Sequence, residues 1–234
     1  MARFIDDFES LIIKQTDDWL VINKPAGHTL HNEAGDGFIF SLKAKLNLPF
    51  LAPAHRLDKV TSGCLLLAKN SQSAAHLSKQ FQDQSVGKIY LAITKGKPKK
   101  KQGLISGDMS QGRNGNWRLE HSKQQPAITE FYSIGFQEGL RVAIVKPVTG
   151  KTHQIRVALK SNGSPILGDQ RYATISSNSI DIDRCYLHCW QLAFKDMNGN
   201  RLEVSSKPES GELFLTEKFW SIVNSKAKSL TWRN

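Results

Sequence analysis

A charged loop runs directly into an apolar segment in the first third of the chain. The loop is His55-Arg56-Leu57-Asp58-Lys59-Val60-Thr61-Ser62-Gly63, and the segment is Cys64-Leu65-Leu66-Leu67-Ala68. An apolar run of this length beside a glycine is typical of a buried β-strand. Asp58 is therefore expected at the mouth of a strand, where the flanking cations keep an acid ionised. A strand end is also a rigid place from which to present a carboxylate.

The charges of this loop admit two interpretations. Asp58 is either a reactive carboxylate held by cations, or part of a surface turn in which it pairs with Arg56 in water. The residue types alone favour neither interpretation, because structural ion pairs also place acids beside cations.

The spacing of apolar residues predicts most of the secondary structure. Strands are expected near 11–13, 19–22, 64–68, 89–94, 131–136, 140–145, 184–194 and 202–205, and helices near 38–48, 71–81, 152–162 and 212–223. Asn70 should cap the second helix, and Asn198-Gly199 should form a hairpin turn. Strands outnumber helices and short turns join many of them, which favours a mainly antiparallel α+β fold.

Length and composition describe a globular chain. Its 234 residues fit one large domain or two small ones. No apolar stretch approaches the roughly 20 residues that span a bilayer, and the first seven residues are acidic where a secretory signal is basic and then apolar. We therefore expect a cytoplasmic protein that does not enter membranes.

Charge indicates a polyanionic partner. Lys and Arg number 32 against 21 Asp and Glu, a net charge of +11. Residues 1–36 hold seven acids and three bases, a net of −4, so the rest of the chain carries +15. A basic body suits nucleic acid, because each neutralised phosphate releases counterions. A basic protein of another kind, or one that binds acidic membranes, has the same composition.

Three cysteines argue against a disulfide framework. The segment Cys185-Tyr186-Leu187-His188-Cys189 offers three metal ligands, whereas structural zinc usually takes four with paired short spacings. In a strand, His188 and Cys189 point to opposite faces. We therefore expect no metal site.

Four segments, in the same order, resemble those of the RluA-type pseudouridine synthases. His55–Gly63 resembles the HRLDxxTSG signature, and residues 18–27 are similar to the family's N-terminal strand and Lys-Pro turn. Residues 88–92 resemble its KxYxA strand, and residues 147–157 resemble its PxTGRTHQIRVH segment. The resemblance covers about residues 17–194.

The resemblance implies both a fold and an activity. The fold is a single catalytic domain over residues 1–234, with a core of about 17–225 and no separate N-terminal RNA-binding domain. It is a long, bent, mainly antiparallel mixed sheet flanked by helices and loops, with the active cleft across its middle. The activity is isomerisation of uridine to pseudouridine in structured ribosomal or transfer RNA by a monomer, with no cofactor, metal or protein partner.

The resemblance also implies catalytic roles for Asp58, Tyr90 and Arg156. Asp58 is the essential acid, and Arg156 forms an ion pair with it. The Tyr90 ring stacks on the flipped uracil, and its hydroxyl serves in proton transfer. Without the resemblance, Arg156 is as well explained as a solvated helix cation, and Tyr90 as a half-buried strand aromatic.

A second set of residues is expected to bind the RNA substrate. Arg56 fills the gap left by the flipped nucleotide, and Lys88, two residues before Tyr90 on one strand face, contacts a phosphate. His55 either contacts RNA or orients its own loop. The remaining members of the set are Thr61, Lys151, His153 and Gln154.

Two positions depart from the family pattern, which has Arg at Lys151 and His at Ala158. Lysine makes no bidentate clamp, so the departures bear on the substrate more than on the chemistry. The alternative function is a non-catalytic RNA-binding module that keeps the fold, and a generic basic nucleic-acid binder is a third. The HRLD order does not fit a kinase catalytic loop, and no glycine-rich loop precedes it.

Five lysines fall within residues 95–101. Charge runs of this kind are usually solvated, mobile loop tips. Since this run follows the Tyr90 strand, contact with RNA phosphates is the other interpretation.

Overall fold

The structure is a computed structural model that describes residues 7–30, 37–137, 139–173, 182–230 and 232. The described residues form twelve strands and four α-helices. The strands are β1 (Ile12–Gln15), β2 (Trp19–Lys24), β3 (Ala52–Pro53), β4 (Ser62–Ala68), β5 (Gly87–Lys95), β6 (Gln102–Gly107), β7 (Met109–Gln111), β8 (Trp117–Leu119), β9 (Ala127–Gln137), β10 (Leu140–Pro147), β11 (Leu187–Lys195) and β12 (Arg201–Ser205). The helices are α1 (Phe38–Lys45), α2 (Ser71–Gln82), α3 (Gln154–Ser161) and α4 (Glu217–Ala227).

The backbone divides into two compact units, and the first comprises residues 1–88 and 188–208. Its strands follow the order β1-β2-β4-β11-β12, and β3 also pairs with β4. All pairs are antiparallel except β4 with β11, where Ser62 lies opposite His188. Every residue of β4 is buried, which confirms the buried strand that the apolar run predicts.

The second unit comprises residues 89–187 and 209–234. Its strands β5, β10, β9 and β6 pair antiparallel in that order, and β7 and β8 form a separate two-stranded ribbon. The sheet core is aliphatic, because Val142–Val145 of β10 are fully buried. Helix α4 packs its Phe219 edge-on against Phe136 of β9, with 6.2 Å between ring centroids.

Most elements confirm the sequence-based assignment. Helix α2 begins after Asn70, whose Oδ1 accepts the Ser73 N–H at 2.8 Å. The predicted hairpin connects β11 to β12 through Asn198-Gly199, where Gly199 has a φ of +82°. The α+β class is therefore confirmed, whereas the single domain and the central cleft stay predictions.

The expected continuous helix over 212–223 is wrong. Glu212–Leu215 forms a short 3-10 helix, and Thr216 is extended with a ψ of 143°. The Thr216 hydroxyl then accepts the Phe219 N–H at 3.2 Å and starts α4. A threonine that caps a helix interrupts the preceding turn, because its own backbone must leave the helical region.

None of the helices in the described part of the chain is long and apolar enough to cross a membrane.

Candidate active site

Asp58 lies in the loop between β3 and β4 and is half-buried. Its backbone carbonyl accepts the Thr61 N–H at 3.0 Å, which closes a tight turn before β4. Thr61 itself is buried. The carboxylate therefore stands on a turn that is fixed to the first residues of a fully buried strand.

A buried lysine fixes this turn from the opposite side. Lys24, at the end of β2, has no exposed surface, and its Nζ donates to the carbonyls of Pro25 at 2.9 Å and Thr61 at 3.0 Å. The Gly27 N–H also donates to the Lys59 carbonyl at 2.6 Å. The Lys-Pro turn and the Asp58 loop are thus joined by one backbone bond and one lysine side chain, at the residues that directly follow the acid.

Gly63 permits β4 to approach β11 closely. It has a φ of +113°, and a Cβ at this position would lie 2.2 Å from the Cys189 carbonyl oxygen and 2.7 Å from its nitrogen. Such distances are far inside van der Waals contact, and the positive φ is costly for any residue with a Cβ. Glycine is therefore required directly after the Asp58 turn.

A buried histidine completes the support of this loop. His188 is fully buried on β11, with Nδ1 2.8 Å from Ser62 Oγ and Nε2 2.9 Å from the Ser206 carbonyl. A carbonyl only accepts, so Nε2 carries the proton and the Ser62 hydroxyl donates to Nδ1. The ring therefore bonds β4 to the end of β12.

His55 makes internal contacts at the start of the loop. Its Nε2 accepts the Leu66 N–H at 3.1 Å, and its ring stacks on Phe81 with 4.5 Å between centroids. Burial, with the Lys88 charge adding to it, lowers its pKa to about 3. A neutral ring that accepts a backbone N–H fits the loop-orienting alternative. Arg56, the next residue, is exposed to solvent.

Lys88 and Tyr90 are both buried on β5, each 8% exposed. Burial holds the pKa of Lys88 below its usual range. Tyr90 lies opposite Val145 of β10, at the buried end of the β5–β10 ladder. The stacking role of Tyr90 and the phosphate contact of Lys88 stay predictions.

Arg156 lies in α3 and forms a buried ion pair within the second unit. Its Nε and Nη2 donate to the two carboxylate oxygens of Asp169, each at 2.8 Å. The centre of its guanidinium lies 5.0 Å from the centroid of the Tyr172 ring. A bidentate pair and an aromatic face together fix the plane of a guanidinium. The surface-cation alternative for Arg156 is therefore wrong.

The Tyr172 hydroxyl extends this cluster. It accepts the Trp117 N–H at 3.0 Å and lies 2.8 Å from His153 Nδ1. His153 precedes α3 in a left-handed conformation, with a φ of 56°. One tyrosine thus connects the start of α3, the guanidinium of Arg156 and the β8 strand.

Gln154 is 5% exposed, and its side-chain amide hydrogen-bonds to neighbouring segments of the second unit. Its Nε2 donates to the Ile128 carbonyl and to Thr129 Oγ1, and its Oε1 accepts from Thr149 Oγ1 and the Lys151 N–H, all within 2.7–3.0 Å. A side-chain amide has two donors and two acceptor lone pairs, and all are used here. The RNA contact expected of Gln154 is therefore replaced by a structural role. The Lys151 side chain is exposed.

No cluster of three or more His, Cys, Asp or Glu side chains suited to a metal occurs among the described residues. In the Cys185–Cys189 segment, both ring nitrogens of His188 already serve Ser62 and Ser206.

Comparison with known proteins identifies the family. A family model described as RNA pseudouridylate synthase matches residues 18–161, which is more than half of the chain. The chain belongs to the RNA pseudouridylate synthase family. It is accordingly an RNA pseudouridine synthase, an isomerase.

Two relatives support this membership, and one solved structure supports the fold. An "Uncharacterized RNA pseudouridine synthase" of Haemophilus influenzae is 47% identical over 87% of this chain and 90% of its own length. A "Ribosomal large subunit pseudouridine synthase C" of Vibrio parahaemolyticus is 30% identical over 88% of this chain and 68% of its own. The structure of "Human RNA Pseudouridylate Synthase Domain Containing 1" has a TM-score of 0.74 at 22% identity, over 99% of this chain and all of that one, and supports the fold.

The family match ends before two residues that sequence reasoning missed. Asp169 and Tyr172 fix Arg156, yet both follow the matched range. The available signal was Gly168, which has a φ of +76° and approaches the Arg184 carbonyl so closely that a Cβ would lie 2.0 Å from it. A glycine followed at once by an acid, outside any helix or strand pattern, marks a constrained turn that presents a carboxylate.

The Ala158 departure lies inside α3. Ala158 is buried, with 2% exposure. A histidine at this position of the synthase would have to be accommodated inside the second unit, so the departure bears on packing around α3.

Proposed function

We propose that this synthase isomerises uridine in ribosomal RNA, with Asp58 as the essential acid. The reaction breaks the bond between uracil N1 and ribose C1′, rotates the uracil, and forms a bond between C5 and C1′. C5 loses a proton and N1 gains one, so the atoms balance without an oxidant, a group donor or a metal. Asp58 either attacks the nucleotide or removes a proton from its ribose.

The rigid mounting of Asp58 is the observation that carries this proposal. Its turn is fixed by Thr61, by the buried Lys24 and by the Gly27–Lys59 bond. A carboxylate that acts in a reaction must stay within a fraction of an ångström of its productive position, which such support provides. A surface turn that merely pairs charges in water has no need of a buried lysine.

The other catalytic residues act on the base and on the acid. A uridine inside folded RNA must be flipped out before it reacts, and Arg56, which is exposed to solvent, fills the vacated stack. Tyr90 stacks on the flipped uracil. The family resemblance implies that Arg156, which Asp169 orients, pairs with Asp58.

Ribosomal RNA is proposed as the substrate from the relatives. Two thirds of the Vibrio parahaemolyticus protein named for the ribosomal large subunit aligns with this chain at 30% identity. Action as a monomer in the cytoplasm completes the proposal. Transfer RNA is the competing substrate, and a strain that lacks this gene separates the two. Loss of a pseudouridine from ribosomal RNA is expected, and loss confined to transfer RNA would contradict the assignment.

The catalytic role is tested by tritium release from RNA that carries 5-tritiated uridine. Asp58→Asn should abolish release while RNA affinity stays within about threefold, because phosphate contacts set binding and the carboxylate does chemistry. Asp83→Asn is the matched control, since Asp83 is exposed and pairs with Lys79 one helical turn away. Near wild-type release by Asp58→Asn would refute the role of Asp58.

The same assay separates catalysis from the alternative function. A non-catalytic RNA-binding module would bind the same RNA and release no tritium even as the wild-type chain.

A further inference from the structure

Residues 95–101, here called the lysine loop, are fixed to the end of α3. The Lys99 N–H donates to the Asn162 carbonyl at 2.7 Å, and the Lys100 N–H donates to Asn162 Oδ1 at 3.0 Å. Asn162 Nδ2 returns a bond to the Lys100 carbonyl at 2.9 Å. Asn162 is buried and thus clamps the middle of the loop through three hydrogen bonds.

Both ends of the lysine loop are fixed as well. The Lys95 N–H donates to the Pro165 carbonyl at 3.0 Å, and the Lys101 carbonyl accepts the Ser133 N–H at 2.6 Å. The Gly96 N–H donates to the Gly139 carbonyl at 3.0 Å. The backbone bonds exclude the mobile loop tip that a charge run usually forms.

The lysine side chains divide into two groups. Lys99 Nζ donates to the Ser161 carbonyl at 3.0 Å, so its charge offsets the partial negative charge at the carboxyl end of α3. Lys97, Lys100 and Lys101 are exposed on the ordered backbone. Of the five lysines, Lys99 therefore secures the loop, Lys95 is exposed at the end of β5, and the other three present their charges to solvent from the loop itself.

Two of the segments that bond to this loop contain no acidic residue. The two segments that meet at this loop, residues 84–107 and 139–168, contain no Asp or Glu and eleven Lys or Arg. These are Lys88, Lys95, Lys97, Lys99, Lys100, Lys101, Arg141, Lys146, Lys151, Arg156 and Lys160. Arg156 is neutralised by Asp169 and the nearby Glu130 is buried, so the charge that these two segments expose is positive and favours a polyanion.

We propose that Lys97, Lys100 and Lys101 form a preorganised binding surface for the phosphates of the RNA substrate. The proposal rests on the proposed function only in taking RNA as the substrate. Lysines contact phosphates as point charges, so the surface adds affinity without reading sequence. Because Asn162 orders the backbone beforehand, RNA binding does not have to order the loop.

The contribution of the three lysine charges to RNA binding is tested with the full-length Lys97→Gln/Lys100→Gln/Lys101→Gln variant, here called the loop variant. Its matched control is Lys14→Gln/Lys218→Gln/Lys228→Gln, which removes three exposed charges scattered elsewhere on the chain. Affinity for in vitro transcribed ribosomal RNA is measured between 50 and 200 mM salt. Each lost phosphate contact lowers the slope of log affinity against log salt by roughly 0.7–0.9. Over this fourfold salt range, wild type should therefore lose roughly 20- to 40-fold more affinity than the loop variant.

The clamp is tested with Asn162→Ala, which keeps every lysine. Amide hydrogen exchange in the loop should accelerate, and RNA affinity should fall roughly 2- to 10-fold because the loop must now be ordered on binding. The salt slope should stay as in wild type, since no charge is lost. Unchanged affinity together with faster exchange would overturn the preorganisation.

Three results would overturn the RNA-binding surface. The first is a salt slope for the loop variant that equals that of wild type. The second is a salt slope for the control variant that is reduced as much as that of the loop variant. The third is unchanged RNA binding by the loop variant together with loss of its binding to anionic lipid vesicles. Tritium release at saturating RNA is followed in parallel and should be unchanged in the loop variant. Failure of the proposed function appears instead as absence of release from wild type, so the two failures are distinguishable.

Discussion

Gly63→Ala should destabilise the protein more than any other single methyl addition in the Asp58 loop. The new Cβ would lie 2.2 Å from the Cys189 carbonyl oxygen, about 1 Å inside the closest normal contact. Both atoms belong to paired strands, so neither side moves without breaking the ladder. Overpacking of this kind costs about 1–3 kcal/mol or more, and the φ of +113° adds about 1–3 kcal/mol for a residue with a side chain.

Gly103→Ala is the matched control for this substitution. Gly103 has a φ of +128° in β6, and no atom lies within 4 Å of the place its Cβ would take. The control therefore carries the backbone strain without the collision. Urea unfolding should show a loss of about 1–3 kcal/mol for Gly103→Ala and at least about 1 kcal/mol more for Gly63→Ala.

The activity of the two variants should diverge further than their stability. Separation of β4 from β11 displaces the turn that carries Asp58, so tritium release by the folded fraction of Gly63→Ala should fall at least tenfold, whereas Gly103→Ala should match wild type. Equal unfolding free energies for the two variants would refute the argument from close approach.

Three further substitutions test the site. Tyr90→Phe should retain RNA affinity but stall the reaction if the hydroxyl transfers the proton, whereas Tyr90→Leu should also lose base flipping; full tritium release in both would make Tyr90 structural. Asp169→Asn should lower the unfolding free energy by roughly 3–5 kcal/mol, because it leaves the buried Arg156 charge without its carboxylate; an unchanged urea midpoint would contradict this. The pKa of His55 is about 3 in the folded protein against an ordinary 6.5, because the folded state disfavours the protonated ring. The stability that neutral His55 contributes is therefore lost as pH falls from 6.5 towards 3. His55→Gln keeps an acceptor for the Leu66 N–H, and its urea midpoint should fall less than that of wild type between pH 7 and pH 4.

Local physics made part of the fold predictable. The Asn70 cap and the β4 run follow from neighbours within a few residues, and the structure has both. The ribbon of β7 and β8 was not predicted, because strands of three residues carry too little alternation to distinguish from a loop. Thr216 was missed because the apolar spacing continues across the residue that interrupts the helix.

Residues of the candidate site could be predicted only where they belong to a sequence motif of the family. The Asp58 loop and Arg156 were found from the resemblance, but the partners of Arg156 come from a turn 13 and 16 residues later. The lysine loop shows the same limit, since its order depends on Asn162, which lies 62 residues from Lys100. Contacts across such separations leave no periodic pattern in a sequence.

The parallel pairing of β4 with β11 sets an order of events during synthesis. Ser62 meets His188 across 126 residues, so the strand that backs the Asp58 turn leaves the ribosome long after the turn itself. Until residues 188–208 have emerged, Gly63 can pair with Lys24 of β2 but not with Cys189 of β11, and Ser62 has no histidine to bind. In a nascent chain of this synthase the acid therefore stands on a loop that is held from the β2 side alone, and we expect the loop to gain its full support only after residues 188–208 have emerged.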